Sequence, residues 1–144
     1  MTGTLRLGFH APQSVGEIAD LLAEAAHAKI PVEVRGRGSK HELGRLVQTG
    51  SVVSTERLVG ISLYEPTELV LSAAAGTPLA EIEGVLAERG QQLAFEPIEL
   101  GPVLGSAPGQ ASVGGVFATN LSGSRRILAG AARDHLLGVG CVNG

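Results

Sequence analysis

The chain has 144 residues, 44% hydrophobic and 17% charged, with a formal net charge of −3. Chains near this length bury roughly 70% of their unfolded surface, which suits one domain or two small lobes. The negative charge, the lack of Trp and the presence of only one Tyr and three Phe argue against a nucleic-acid stacking platform or nonspecific binding to anionic membrane.

One cysteine, Cys141, makes neither an intrachain disulfide nor a four-cysteine zinc site or iron–sulfur cluster. His10, His27, His41 and His135 show no metal-ligand spacing, so no metal site is expected. No secretory signal follows Met1, and no apolar run approaches the length of a membrane span. The expectation is a cytoplasmic protein without a membrane span.

Ser14-Val15-Gly16-Glu17 reads as a capping box, and Ile18, Leu21, Leu22, Ala25 and Ala28 follow at three- and four-residue intervals. The pattern predicts an amphipathic helix from about Val15 to about Lys29, ended by Pro31. Val32 to Arg35 then reads as a short strand with Gly36 to Lys40 as the loop at its carboxyl end. Further strands are predicted at Ser51 to Ser54, Ile61 to Tyr64 and Leu69 to Ala74.

Thr77-Pro78 reads as a helix start, with Thr77 as N-cap and Pro78 at the first helical position. Leu79, Ile82, Val85 and Leu86 form its buried stripe, and Gly90 stops it after Arg89. Gln91 to Phe95 reads as another strand and Ile98 to Gln110 as a loop. A small-residue helix runs from Ser112 or Val113 to Thr119, and Leu136 to Val142 reads as an apolar strand. Asn143-Gly144 has hairpin chemistry with no following strand, so the expectation is an amino-terminal fragment of a longer protein.

Two glycine-rich segments carry the chemistry. In Arg35-Gly36-Arg37-Gly38-Ser39-Lys40, the glycines free backbone amides to form an anion-binding concavity, with Ser39 as a donor and Arg35, Arg37 and Lys40 as charge. The dinucleotide pattern G-x-G-x-x-G fails, because His41 stands at the third glycine. Read alone, this loop suits equally a tight turn with solvated charges.

In the second segment, Gly114-Gly115 near a helix start exposes unpaired amides to an anion. Ala118 permits close approach, Thr119, Asn120 and Ser122 offer hydrogen bonds, and Gly123 leads into Arg125 and Arg126. Small-residue helix packing followed by a solvated basic turn is the alternative. Together the two segments suit a dinucleotide gripped from two sides. Tyr64, Phe95 and Phe117 read as core aromatics. Glu65, Glu68, Glu81, Glu83 and Glu88 read as a solvated face, and Asp134-His135 as a surface or capping pair.

These residues resemble the FAD-binding domain of the vanillyl-alcohol oxidase / p-cresol methylhydroxylase (PCMH) class, also called FAD-binding type 4. The resemblance rests on the order helix, Val32 to Lys40, Ala75-Gly76-Thr77-Pro78-Leu79 and Gly114 to Asn120. More narrowly, Arg35 to Lys40 and Gly123-Ser124-Arg125-Arg126, with Gly130-Ala131-Ala132-Arg133-Asp134, resemble the FAD-binding subunit of glycolate oxidases.

The resemblance implies an α+β, two-lobed PCMH-type fold with FAD between the lobes. Residues 1–66 would form the first lobe and 67–144 part of the second, with its continuation and a cap domain absent from this chain. Arg35, Gly36, Arg37, Gly38, Ser39 and Lys40 would hold the cofactor from one side. Gly114, Gly115, Ala118, Thr119, Asn120, Ser122, Gly123 and Arg125 would hold it from the other. Ser39 occupies the position at which some members attach flavin through a His, so noncovalent FAD is expected.

The implied reaction is flavin-dependent oxidation of a 2-hydroxy acid, glycolate to glyoxylate. Electrons would pass to a second flavin subunit and an iron–sulfur subunit, with peripheral attachment to the inner membrane through those partners. No catalytic residue is assigned within this chain, which alone is expected to be inactive and to self-associate through an open sheet edge. The competing reading is a noncatalytic scaffold or a module for another phosphorylated ligand.

Overall fold

A computed structural model describes residues 7–45 and 47–143 of the chain. The amino-terminal half is built on a three-stranded parallel sheet of β1 (Gly8–His10), β3 (Ser51–Ser54) and β2 (Val32–Arg35), in that spatial order. Helix α1 (Val15–Ala28) connects the two outer strands. Strands that run parallel in one sheet need such a crossover because a tight turn only reverses direction.

Ser14 caps α1 by accepting the Glu17 N–H at 3.2 Å. The Glu17 carboxylate reaches one residue past the cap, accepting from the Gln13 N–H at 2.8 Å. Ile18 and Ala25 on α1 are buried, as is Val53 on the central strand. Lys29 closes the helix in the left-handed conformation at φ 54°.

A hairpin follows, with β4 (Ile61–Glu65) antiparallel to β5 (Val70–Ala73). Its Tyr64 hydroxyl donates to Gln91 Oε1 at 2.8 Å, and Gln91 Nε2 donates to the Pro66 carbonyl. Helix α2 (Leu79–Ala87) buries Leu79, Ile82 and Leu86, and Gly90, at φ +67°, turns the chain away. The second core gathers Leu79, Phe95, Ala111, Val116 and Ala132, with the Phe95 and Phe117 rings 5.8 Å apart.

Several elements depart from the sequence expectation. Thr77 does not cap α2: its hydroxyl is fully buried, accepting the Gly60 N–H at 3.0 Å and donating to the Gly60 carbonyl. It therefore ties the hairpin to the helix start, and Pro78 takes the cap position. Gln91 to Phe95 is not a strand, because the Gln91 N–H returns to Leu86 and Phe95 turns into the core.

Leu136 to Val142 is also not a strand. Among the described residues no ladder partner lies beside it, and Leu137 and Val139 are exposed. Strand β1, the short helix α4 (Arg126–Ala129) and a 3₁₀ turn at Ala132–His135 were not foreseen. The Asn143-Gly144 reading ends on a residue outside the described set. No described helix is long and apolar enough to cross a membrane.

Candidate functional site

The site begins where β2 ends. The parallel ladder is completed by the Thr55 N–H bonding to the Arg35 carbonyl at 2.8 Å, after which the chain leaves the sheet through Gly36. Gly38 at φ +82° makes the turn. Among the described residues, no protein acceptor lies on the backbone N–H of Gly36, Arg37, Gly38, Ser39 or Lys40. Consecutive free amides in such a turn form a concavity suited to an anion.

Side chains add to that character. Arg37 Nε is buried without a hydrogen-bond partner, and Ser39 is buried. Lys40 makes no ion pair among the described residues. Burial holds its ammonium below the usual lysine range, with Glu99 opposing that shift. Arg35 is committed elsewhere, with Nε 2.9 Å from Glu33 Oε1.

Helix α3 (Val113–Thr119) faces this loop with its first turn. A Cβ on Gly36 would lie 2.7 Å from Ser112 Oγ, and one on Gly115 would lie 3.7 Å from Lys40 Nζ. Residues far apart in sequence are thus brought together, and the missing Cβ of Gly36 allows Ser112 its close approach.

One expectation is corrected here. The first amides of α3 are not free: Val113 donates to the Thr77 carbonyl, Gly114 to the Ala75 carbonyl at 2.9 Å, and Gly115 to Ser112 Oγ at 3.4 Å. The segment from Ala75 to Leu79 runs antiparallel to this stretch and takes up its donors. The free amides belong to the first loop, while α3 supplies a smooth glycine face.

The remaining predicted residues lie along α3 or beyond its far end. Ala118 is exposed, and the Thr119 hydroxyl donates to the Gly115 carbonyl. Asn120, left-handed at φ 50°, accepts the Arg133 N–H through Oδ1 at 2.9 Å, and buried Ser122 accepts the Ala132 N–H. Gly123 packs so closely on Glu96 that a Cβ would lie 2.7 Å from the Glu96 Cβ, while Arg125 pairs with Glu96 Oε1 at 3.6 Å. These side-chain contacts brace the 120–135 region.

Three contributors were missed. Ser112 signals itself only as an N-cap, and Glu96, at φ 49°, carries no sequence signal. Glu33 was legible as the i−2 neighbour of Arg35 on one strand face. Glu99 accepts from the Gly109 and Gln110 amides and so folds the proline-rich loop on itself. Its charge, added to burial, raises the Glu83 carboxyl above the usual range.

A raised carboxyl favours the folded state while protonated and loses that contribution as pH rises through its titration range. Glu83→Gln is therefore expected to raise the thermal midpoint at pH 7 and leave it unchanged near pH 4. Because Glu83 is exposed, the gain should stay below about 1 kcal/mol.

A family model described as "FAD binding domain" matches residues 7–144. The chain belongs to this family. FAD is its cofactor, and the residues present fit that group: free loop amides and the unpartnered Arg37 Nε suit a diphosphate.

The FAD binding domain has curated relatives. It is 40% identical over 121 residues to the glycolate oxidase subunit GlcE of Escherichia coli, covering 84% of this chain and 32% of that protein. It is 29% identical over 134 residues to a D-lactate dehydrogenase of Archaeoglobus fulgidus, covering 91% of this chain and 28% of that one.

Among solved structures, an alkyldihydroxyacetonephosphate synthase superposes with a TM-score of 0.67 at 18% identity, over 90% of this chain and 23% of that one. Phl p 4, a grass pollen allergen with glucose dehydrogenase activity, gives a TM-score of 0.67 at 20% identity, over 88% and 25%. These similarities establish the α+β, PCMH-type fold. The chain spans about a third or less of the length of the proteins it matches.

Proposed function

We propose that this chain holds the FAD diphosphate in the flavin subunit of a glycolate oxidase-like complex. The observation that carries this reading is the run of free amides from Gly36 to Lys40, set opposite the glycine face of α3. Identity to a glycolate oxidase subunit and to a D-lactate dehydrogenase supports a 2-hydroxy acid as substrate, with glycolate oxidised to glyoxylate. The whole protein passes electrons to a second flavin subunit and an iron–sulfur subunit.

Bound FAD supplies the two-electron acceptor for the alcohol carbon. The chain's own residues bind and orient. The loop amides and Arg37 hold the diphosphate, and half-buried Lys40 offsets its charge in a setting where water screens little. Residues 1–66 and 67–144 act as facing lobes, and the α3 face with the 120–125 turn lines the approach of the ribityl and flavin portions. Ser39 is no nucleophile for the flavin ring, so attachment is noncovalent.

The test is the visible spectrum of the whole protein before and after acid precipitation. Flavin bands in the supernatant are expected. Bands retained in the pellet would overturn noncovalent attachment. A colourless protein that takes up no added FAD would favour the scaffold reading.

A further inference from the structure

Glu33 sits beneath the loop and touches both of its ends. Its Oε1 accepts from Arg35 Nε at 2.9 Å, immediately before the loop, and lies 3.2 Å from His41 Nδ1, immediately after it. The Arg35 stem passes under the middle of the loop, with Cδ 3.7 Å from where a Gly38 Cβ would stand. The Glu33 side chain is 15% exposed, against 28% for Arg35 and 41% for His41. On strand β3 the residues opposite Glu33 and Arg35 are Val52 and Ser54, neither charged.

We propose that Glu33 is a positioning residue whose carboxylate clamps Arg35 to His41, drawing the two ends of the Gly36–Lys40 loop together and preorganising its amides for the FAD diphosphate. The inference rests on the reading of that loop given above. A five-residue loop with two glycines samples many conformations when unconstrained, and each residue ordered on binding weakens affinity. A tie across its mouth confines that freedom before the ligand arrives. It also gives Arg35 a task distinct from the one its charge suggests, since its Nε is held by Glu33.

The clamp has a pH signature at its carboxylate. The Arg35 hydrogen bond chiefly holds the Glu33 carboxyl below the usual range, with burial opposing and His41 assisting. The carboxylate therefore grips above its own low range and releases as pH falls through it.

The experiment titrates FAD into the apo form of the whole protein at neutral pH, following flavin fluorescence. Glu33→Ala is expected to weaken binding about tenfold or more, the loss of a charge-assisted contact. Glu33→Gln, which keeps an acceptor oxygen but not the charge, should recover part of that loss. His41→Ala, which unties only the far end of the loop, should weaken binding by a smaller factor than Glu33→Ala. Apo thermal midpoints should stay near wild type.

Wild-type affinity in Glu33→Ala, or in His41→Ala, would overturn the clamp. If Glu33→Ala fails to fold, His41→Ala decides alone. A wild-type protein that takes up no FAD overturns the reading of the loop itself.

Discussion

Gly76→Ala is expected to destabilise the fold by about 3 kcal/mol, the upper part of the usual overpacking range. A Cβ at this position would stand 2.0 Å from the Thr55 carbonyl oxygen and 2.8 Å from that of Leu58. Both obstacles are backbone, so no rotamer change relieves them. Thr55 to Leu58 is a tight turn closed by the Leu58 N–H bonding to the Thr55 carbonyl at 2.9 Å, and Gly76 itself donates to Leu58 at 2.8 Å.

The same turn is joined to the Gly36–Lys40 loop, because the Thr55 N–H holds the Arg35 carbonyl. Displacing it would disturb the junction between the parallel sheet and the 75–79 segment, and the start of the Gly36–Lys40 loop with it. A stability of about 5–15 kcal/mol leaves little margin for such a change. The measurement is the denaturation midpoint and soluble yield of Gly76→Ala in the whole protein. A midpoint indistinguishable from wild type would show that the close approach is not needed.

Local signals carried much of this fold. The Ser14 cap and the apolar stripe of α1 lie within a few residues of one another, as do the residues of the α2 stripe, so capping chemistry and periodicity located those two helices. Strand β1 was not legible because three residues including a glycine carry no pattern. It exists through pairing with Ser51 to Val53, far along the chain. Helix α4 and the turn at Ala132–His135 are short elements braced from outside by Asn120, Ser122 and Glu96.

The candidate site divides the same way. Glycines at 36, 38, 114 and 115 announced two bare backbone segments, but not which of them keeps its donors. That is decided by the Ala75 and Thr77 carbonyls, which arrive from a distant segment and occupy the amides of α3. Thr77 was misread for a related reason: its neighbour Pro78 is a local helix signal, whereas its partner Gly60 is a tertiary one. Leu136 to Val142 has strand composition, but composition does not supply a neighbouring strand.

The two adjacent glycines of α3 are expected to fail in different ways when substituted. A Cβ on Gly114 would lie 2.7 Å from the Ala75 carbonyl oxygen and 2.8 Å from the Ala75 Cβ, where the helix packs backbone to backbone. Gly114→Ala should therefore lower stability by about 1–3 kcal/mol, with any loss of FAD secondary to a disturbed fold. Gly115 points the other way, towards Lys40 Nζ at 3.7 Å and Ser112 Oγ at 3.4 Å. A methyl group there has room, so Gly115→Ala should fold and bind FAD nearly as wild type.

Gly115→Leu extends further into the gap between α3 and the Gly36–Lys40 loop, where the cofactor is proposed to lie. It should keep a thermal midpoint close to wild type in the apo form yet lose FAD loading, read as a flavin absorbance per protein falling about a hundredfold or below detection. Such a loss corresponds to about 2.7 kcal/mol of binding energy. The comparison separates packing from binding because the two positions are consecutive on one helix and differ only in the face they present. Full loading of Gly115→Leu would move the cofactor off this face of α3, and loss of fold in Gly115→Ala would make its glycine a packing requirement like that of Gly114.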